Sequence, residues 1–175
     1  MRTLVTTKGE AIATFGSVHR IRSLRGETTV MPDIKIPLKA APGLTLQEMK
    51  QFVRDHFEEF VNQQVSEVAL KNFSSDFLDH DEVTGVEVGP EAAKKMMEAA
   101  YKRWPDLKVA IEDILAEEDK VVVRNSWTGS ETATGEKIEF HGFVMWRFAN
   151  KKIVERWATI TPPTPVSERA ARWND

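Results

Sequence analysis

The sequence predicts an α+β fold, with helices in the first half of the folded part and an antiparallel sheet in the second. Between Leu46 and Pro105, apolar residues recur at helical intervals, and from Leu107 onward they alternate along four consecutive strand-like segments. Short connections join these segments, and strands joined in this way usually pair antiparallel. We therefore expect one sheet packed against the helices.

The helical part is expected to contain three pieces. Thr45 and Glu48 have the spacing of a capping box, which marks the start of a helix, and the apolar residues of LQEMKQFVRDHFEEFVNQQ form one stripe that should cover the sheet. A second helical piece is expected at about 65–72, followed by FSSDFLDHDEVTG, whose Ser, Asp and Gly content predicts an irregular rim. Pro90 opens the last helix, EAAKKMMEAAYKRW, which ends before Pro105.

The last two strands form a hairpin, FHGFVMWRFANKKIVERW, whose apolar strands contain His141 and Glu155. A three-residue turn that pairs Phe148 with Lys152 puts these two residues on one face of the sheet. A two-residue turn at Asn150 and Lys151 puts them on opposite faces unless a bulge intervenes. Because a two-residue turn prefers glycine where Lys151 stands, the sequence favours the longer turn.

Length and composition indicate one globular domain with flanking segments. At 175 residues the chain is too short for two domains of typical size. We expect a basic, extended arm and linker at 1–44, the folded domain at 45–163 and a tail at 164–175. The first thirty residues contain five basic and two acidic residues without a clear helix or strand period.

Charge and cysteine content exclude several classes of function. The net charge is −3 and no basic run occurs, so a nucleic-acid partner is not expected. The absence of cysteine rules out disulfides, thiolate nucleophiles and cysteine-ligated zinc, and it fits a cytoplasmic protein. Apolar runs are far shorter than the roughly 20 residues that a membrane-spanning helix requires, so no membrane partner is expected.

Several motifs carry a resemblance to a known family. The run WPDLKVAIEDILAEEDKVVVRNSWTGS followed by GEKIEFHGFVMWRFANKKIVERW resembles the SnoaL-like polyketide (ester) cyclases of the nuclear-transport-factor-two-like superfamily, and so does FLDHDEVTGVEVGPEAAKKMM. The resemblance covers about Leu46 to Pro163. It implies a conical, cystatin-like fold in which a curved antiparallel sheet wraps the helices and leaves an apolar pocket. It also implies an acid/base pair that acts on a polyketide ester without a metal or organic cofactor.

His141 and Glu155 are the predicted catalytic residues. They lie fourteen positions apart, which is similar to the separation of the histidine and the acidic residue proposed to work in the family's cyclases. Removing a proton next to a carbonyl requires a base, and the resulting enolate oxygen requires a nearby donor or cation. The alternative is a structural His141 and a Glu155 that pairs with a nearby arginine.

Ligand contacts are predicted for a further set of residues. His80 either reaches the pocket mouth, as a similarly placed histidine does in many relatives, or caps a loop. Adjacent side chains rarely point the same way, so the Asp79, His80, Asp81 triplet is not expected to bind a metal. The remaining predicted substrate-binding residues are large side chains that line the pocket or, alternatively, only fill the core or a subunit interface: Trp104, Trp127, Phe143, Met145 and Trp157.

Two departures from the family affect the function. Many relatives carry a longer insertion where this chain has only SETATGEK, and many have an aspartate where this chain has Thr161. We expect a cofactor-independent acid/base catalyst of cyclase or isomerase type that acts on a hydrophobic, carbonyl-containing ligand and forms a homodimer or higher oligomer through a sheet face. The alternative is a non-catalytic ligand-binding or dimerisation module, which a pocket filled by tryptophans would favour.

Overall fold

The computed structural model describes residues 41–80 and 87–167, and all of them fall in one compact unit. Most of the predicted N-terminal arm, residues 81–86, which include the end of the predicted rim, and residues 168–175 of the tail lie outside the described residues, so the domain boundaries stay predictions. Among the described residues, no helix is long and apolar enough to cross a membrane. The helices are α1 (Leu46–Phe57), continued by a π-helical turn (Glu58–Asn62), α2 (Val68–Asn72) and α3 (Pro90–Arg103).

The predicted start of α1 is confirmed. The Thr45 hydroxyl accepts a hydrogen bond from the Glu48 backbone N–H at 3.2 Å, and the Glu48 carboxylate accepts one from the Thr45 N–H at 2.7 Å. This capping box satisfies two N–H groups that would otherwise lack partners at the helix start. The helix buries Met49, Val53 and His56 against the sheet, as the apolar stripe predicts for all but the histidine.

The strands form one curved, unclosed sheet in the order β2-β1-β6-β5-β4-β3, with β7 paired to β5. The strands β3 to β6 form the predicted antiparallel meander. In contrast, β1 pairs parallel to β6, a pairing that no local sequence pattern predicts. The predicted α+β architecture is confirmed. The strand bounds are β1 (Phe73–Asp79), β2 (Glu87–Val88), β3 (Lys108–Glu117), β4 (Lys120–Ser130), β5 (Lys137–Ala149), β6 (Lys152–Ile160) and β7 (Thr164–Pro165).

The prediction of an irregular rim is wrong for Phe73–Asp79, which form β1. The segment contains serine and aspartate, but Phe73, Phe77 and Asp79 are buried. Its partner strand lies far along the chain, and Asp79 and Arg156, which are adjacent in the sheet, are 77 residues apart. Local composition therefore gave no sign of the backbone hydrogen bonds that β6 supplies.

The two faces of the sheet have different environments. The inner face packs on the helices, with α1 against β3 and β4 and α3 against β1. On this face β4 and β5 bury alternate side chains, including Val123, Trp127, Phe140, Val144, Trp146 and Phe148. The outer face carries the intervening residues, of which Leu115 and Phe143 are well exposed.

The hairpin between β5 and β6 has the shorter of the two turns considered, so the preference for a three-residue turn is wrong. Asn150 and Lys151 have φ of 50° and 61°, as in a type I′ turn, and Phe148 pairs with Ile153. The N–H groups of Asn150 and Lys151 donate to the carbonyls of residues 41 and 42 at 3.0 and 2.7 Å, which offsets the cost of the left-handed lysine. A bulge at Val154 then shifts the register, so that Arg147 pairs with Glu155.

Candidate functional site

An inner cavity lies between the helices and the inner face of the sheet. Its volume is about 50 Å³, enough for one or two water molecules and far below the roughly 300 Å³ of a typical ligand pocket. The wall is mostly apolar, and only a few polar side chains interrupt it. The apolar side chains that line the cavity include Phe57, Phe60, Met97, Trp127 and Trp146. The polar ones are His56, Asp79 and Arg156.

Asp79 and Arg156 form a buried ion pair in this wall. The parallel pairing of β1 with β6 makes the two residues neighbours, and Nη1 of Arg156 donates to both carboxylate oxygens of Asp79 at 2.7 Å. Their side chains are only 16% and 7% exposed. Since burying one charge alone would cost several kcal/mol, each partner is needed to hold the other in the apolar wall.

His56 is buried among aromatic rings at the end of α1. Its ring centroid lies 5.0 Å from that of Phe60, 5.1 Å from Phe73 and 5.9 Å from Trp146. Burial, assisted by the positive charge of Arg156, lowers the pKa of His56 from 6.5 to about 3. The imidazole is therefore neutral at physiological pH, and Nδ2 of Asn72 lies 3.1 Å from its Nδ1.

Two further donors are buried on the inner face. Nε1 of Trp146 and Nδ2 of Asn125 have no hydrogen-bond partner within residues 41–80 and 87–167. The other end of the Asn125 amide accepts a hydrogen bond from Nε1 of Trp127 at 2.8 Å. Gly142 makes room for this amide, because a Cβ there would lie 3.2 Å from the Asn125 Oδ1 and 3.0 Å from the Thr159 carbonyl oxygen.

Glu155 belongs to a separate cluster on the outer face. Its Oε1 accepts hydrogen bonds from Nε of Arg147 at 3.0 Å and from Nη2 of the same guanidinium, and its Oε2 lies 3.3 Å from Nε2 of His80. The His80 ring stacks on Trp157 with the centroids 4.5 Å apart. Glu155 thus pairs with a nearby arginine, which is the alternative that the sequence left open.

The structure does not bring His141 and Glu155 together. The bulge leaves them on the same face, but Arg147 is the residue opposite Glu155, and His141 lies six residues farther along β5, or about 20 Å. Nε2 of His141 lies 3.1 Å from Glu139, and its backbone N–H donates to the Thr161 hydroxyl at 2.9 Å. The distance removes the basis for a joint role, and their individual roles stay predictions.

Comparison with known proteins identifies the family. The family model for SnoaL-like polyketide cyclases matches residues 51–161, well over half of the chain. The chain belongs to this family. SnoaL-like cyclases are members of the nuclear-transport-factor-two-like superfamily, so the resemblance noted in the sequence is confirmed. No curated protein matches the chain.

Solved structures similar to this SnoaL-like protein include AclR from Streptomyces galilaeus, with a TM-score of 0.62 and 24% identity over 73% of this chain and 98% of AclR. A Bacillus cereus protein assigned as a polyketide cyclase has a TM-score of 0.58 and 27% identity over 70% of this chain and 82% of that one. A SnoaL-like polyketide cyclase from Agrobacterium tumefaciens has a TM-score of 0.57 and 13% identity, covering 73% and 98%. The first and third similarities establish the fold alone.

Among the side chains predicted to bind substrate in this SnoaL-like protein, only Trp127 lines the inner cavity. Trp104 packs against Phe140 beside the cavity, and its Nε1 donates to Glu131 at 3.2 Å. The others lie on the outer face, where β5 and β6 carry Phe143, Met145 and Trp157 in register and His80 stacks on the last of them.

The sequence did not indicate a catalytic or ligand-binding role for the polar residues of the inner cavity, His56, Asp79 and Arg156. Asp79 had been considered only as part of a metal triplet with His80 and Asp81, and Asp81 lies outside the described residues. Among the described residues, no three His, Cys, Asp or Glu side chains come together as a metal site would require. A signal existed for His56, because it occupies an interior position on the apolar stripe of α1.

Proposed function

We propose that this SnoaL-like protein binds a hydrophobic, carbonyl-containing small molecule in the inner cavity and catalyses cofactor-independent acid/base chemistry of cyclase or isomerase type. The family membership and the fold support a small-molecule role. The observation that carries the proposal is the Asp79–Arg156 pair, a carboxylate and a cation held together in the wall of an otherwise apolar cavity.

In the proposed reaction Asp79 is the base. One of its carboxylate oxygens takes a proton from the carbon next to the ligand's carbonyl, and the electron pair of that C–H bond moves into the enolate. Arg156 holds the carboxylate in place and provides positive charge near the developing negative charge. Asp79 then returns the proton at the end of the carbon–carbon bond formation or isomerisation.

Binding a ligand larger than a few atoms requires the cavity to widen. Met96 and Met97 of α3 line it, and methionine side chains are unbranched and adapt readily to a new neighbour. We expect these two side chains to be displaced by the ligand. A non-catalytic ligand-binding or dimerisation module is the second candidate function, and the small volume of a cavity lined by Trp127 and Trp146 favours it over catalysis.

The proposal is tested by proton exchange on simple ketones, which needs no knowledge of the natural substrate. In D₂O the protein should accelerate deuteration of cyclohexanone next to its carbonyl, followed by NMR. Asp79→Asn should lower the protein-catalysed rate by about 100-fold or more, because general-base catalysis contributes a factor of that size. Asp113→Asn is the matched control, because Asp113 is an exposed carboxylate paired with Arg124 on the outer face.

The exchange rates of the wild type and the variants distinguish catalysis by Asp79 from catalysis by Glu155 and from non-catalytic binding. Binding of cyclohexanone without any acceleration of exchange would contradict catalysis and support the non-catalytic module. A loss of exchange in Glu155→Gln but not in Asp79→Asn would show that the base is Glu155, the residue predicted from the sequence, and not Asp79. Circular dichroism of each variant separates a loss of exchange from a loss of folding.

We also propose that the protein forms a homodimer through the outer face. In register across four strands, Leu115 neighbours Val122, Val122 neighbours Met145, and Met145 neighbours Trp157. We call these four residues the outer apolar row. Such a continuous row on a sheet face supports burial against a second copy.

A further inference from the structure

The indole N–H of Trp146 is an unusual feature of the inner cavity. Trp146 is 3% exposed and lines the cavity, yet its Nε1 finds no acceptor within residues 41–80 and 87–167. A buried tryptophan normally has a partner for this donor, because leaving it unpaired costs free energy. The other cavity tryptophan, Trp127, follows that rule by donating to Asn125. The exception at Trp146 points to an acceptor supplied by a bound molecule.

His56 provides a second donor beside the first. Its ring meets that of Trp146 edge-on with the centroids 5.9 Å apart, and both rings line the cavity. The Asn72 amide nitrogen can only donate, so Nδ1 of His56 accepts and the proton of the neutral ring is on Nε2. Among the described residues, the hydrogen bond that the His56 ring makes is that of Nδ1 to Asn72, so Nε2–H is left for a bound molecule. Asn72 is therefore a positioning residue, which fixes the tautomer of His56.

We propose that Nε1–H of Trp146 and Nε2–H of His56 bind one carbonyl oxygen of the ligand and stabilise the enolate that forms from it. This inference rests on the proposed function and assigns the oxygen-binding part of the same site. Both rings line the same cavity with their centroids 5.9 Å apart, so we expect one bound oxygen to lie about 3 Å from each nitrogen. The proton leaves carbon for Asp79, the charge accumulates on the oxygen, and His56 donates a hydrogen bond without giving up its proton.

The arrangement selects a class of ligand. A ketone or ester oxygen can accept two hydrogen bonds at once, whereas a hydrocarbon of the same shape leaves both donors unpaired. The neutral state of His56 fits this role, because Arg156 already supplies positive charge to the cavity. The ligand is thus expected to place its carbonyl between Trp146 and His56, with the acidic C–H group toward Asp79.

The tautomer can be tested without a ligand. In ¹⁵N-labelled protein at pH 7, the imidazole nitrogen shifts and the long-range couplings of His56 should show a protonated Nε2 and an unprotonated Nδ1. The opposite tautomer, or an imidazolium, would overturn the assigned role. His80 and His141, which lie on the outer face, provide reference signals in the same spectrum.

The donor pair is tested with two probes of nearly equal shape, cyclohexanone and methylenecyclohexane, of which only the first has an acceptor oxygen. Trp146→Phe should weaken cyclohexanone binding by about 3- to 10-fold, the contribution of one neutral hydrogen bond, and leave methylenecyclohexane binding unchanged. Trp127→Phe is the matched control, because the indole N–H that it removes already donates to Asn125. The ratio of the two dissociation constants should not change in that variant.

A further measurement does not depend on the variants folding. In the wild-type protein the indole N–H resonance of Trp146 should move downfield with cyclohexanone and not with methylenecyclohexane. An unchanged affinity ratio in Trp146→Phe, or an equal change in Trp127→Phe, would refute the donor pair while the proposed function stands. If neither probe perturbs any residue that lines the cavity, the proposed function fails and the donor pair fails with it.

Discussion

At the scale of single residues, the inner cavity depends on polar groups placed where apolar ones are normally found. His56 occupies a position on the buried stripe of α1, and Asp79 and Arg156 interrupt an apolar wall. Asn72 hydrogen-bonds to His56 and so offsets the cost of burying the imidazole. Asp79 and Arg156 offset the cost of burying each other's charge. Such residues are costly for folding, which is why we assign function to them.

The buried imidazole should make stability depend on pH. His56 binds a proton with a pKa of about 3 in the folded protein and about 6.5 in the unfolded chain, so unfolding takes up a proton between these values. The stabilising effect of neutral His56 is complete above pH 6.5 and is lost as the pH falls toward 3. Its contribution to the free energy of unfolding should be about 2 kcal/mol smaller at pH 5 than at pH 7.5.

Urea unfolding of the wild type and of His56→Phe at both pH values measures this effect. Every other titratable group is the same in the two proteins, so the difference between the two pH dependences isolates His56. The same pH dependence in the two proteins would show that His56 is not buried in its neutral form.

The residues of the candidate site show what a sequence can indicate. His141 and Glu155 were noticed because they are polar residues within apolar strands, and that pattern is real. Alternation alone does not say which face meets the helices, and both residues lie on the other one. Asp79 and Arg156 become neighbours only through a parallel pairing between distant segments, which no local pattern encodes.

At the scale of elements, the β5–β6 hairpin decides which residues enter the cavity. The two-residue turn alone would have put Glu155 on the inner face with Trp146 as its near neighbour, and the bulge at Val154 reverses this. Arg156 consequently faces the cavity and Glu155 faces outward. The helix starts were predictable from capping residues and proline, because these signals are local, whereas a bulge has no comparable signal in this hairpin.

Replacing Lys151, which has a left-handed backbone conformation, with glycine should stabilise the protein. At φ 61° a side chain is strained and glycine is not, so Lys151→Gly should raise the free energy of unfolding by about 0.5–1 kcal/mol in urea. Lys152→Gly, which removes the same charge one position later in the extended strand, should lower it. A loss of stability in Lys151→Gly would mean that the lysine side chain contributes more than the turn strain costs.

At the scale of the whole molecule, the fold follows from the family and from the order of helices and strands, both of which the sequence revealed. What it did not reveal is that β1 and β2 extend the sheet beyond β6, because these two segments were not recognised as strands. The outer face is the other molecular surface of interest. It combines the outer apolar row with exposed Phe143.

Self-association through the outer apolar row can be tested with one added charge. Val122→Lys should weaken the dimer by roughly 100-fold or more, because an unpaired charge would be buried at its centre. Thr128→Lys is the matched control, since Thr128 is exposed on the same face of β4 but lies six residues away from the row. Sedimentation equilibrium reports both. A wild type that stays monomeric, or a dimer that Val122→Lys leaves intact, would contradict the proposal.

The parallel pairing of β1 with β6 also sets an order of events during folding. The strands β3 to β6 each pair with the next strand in the chain, so they meet after closing only short loops. The β1–β6 pairing must close a loop of more than 70 residues, which is slow, and on a ribosome it must wait until β6 has been synthesised. The ion pair between Asp79 and Arg156 therefore joins the earliest and latest strands of the cavity wall, and the site forms only when folding is nearly complete.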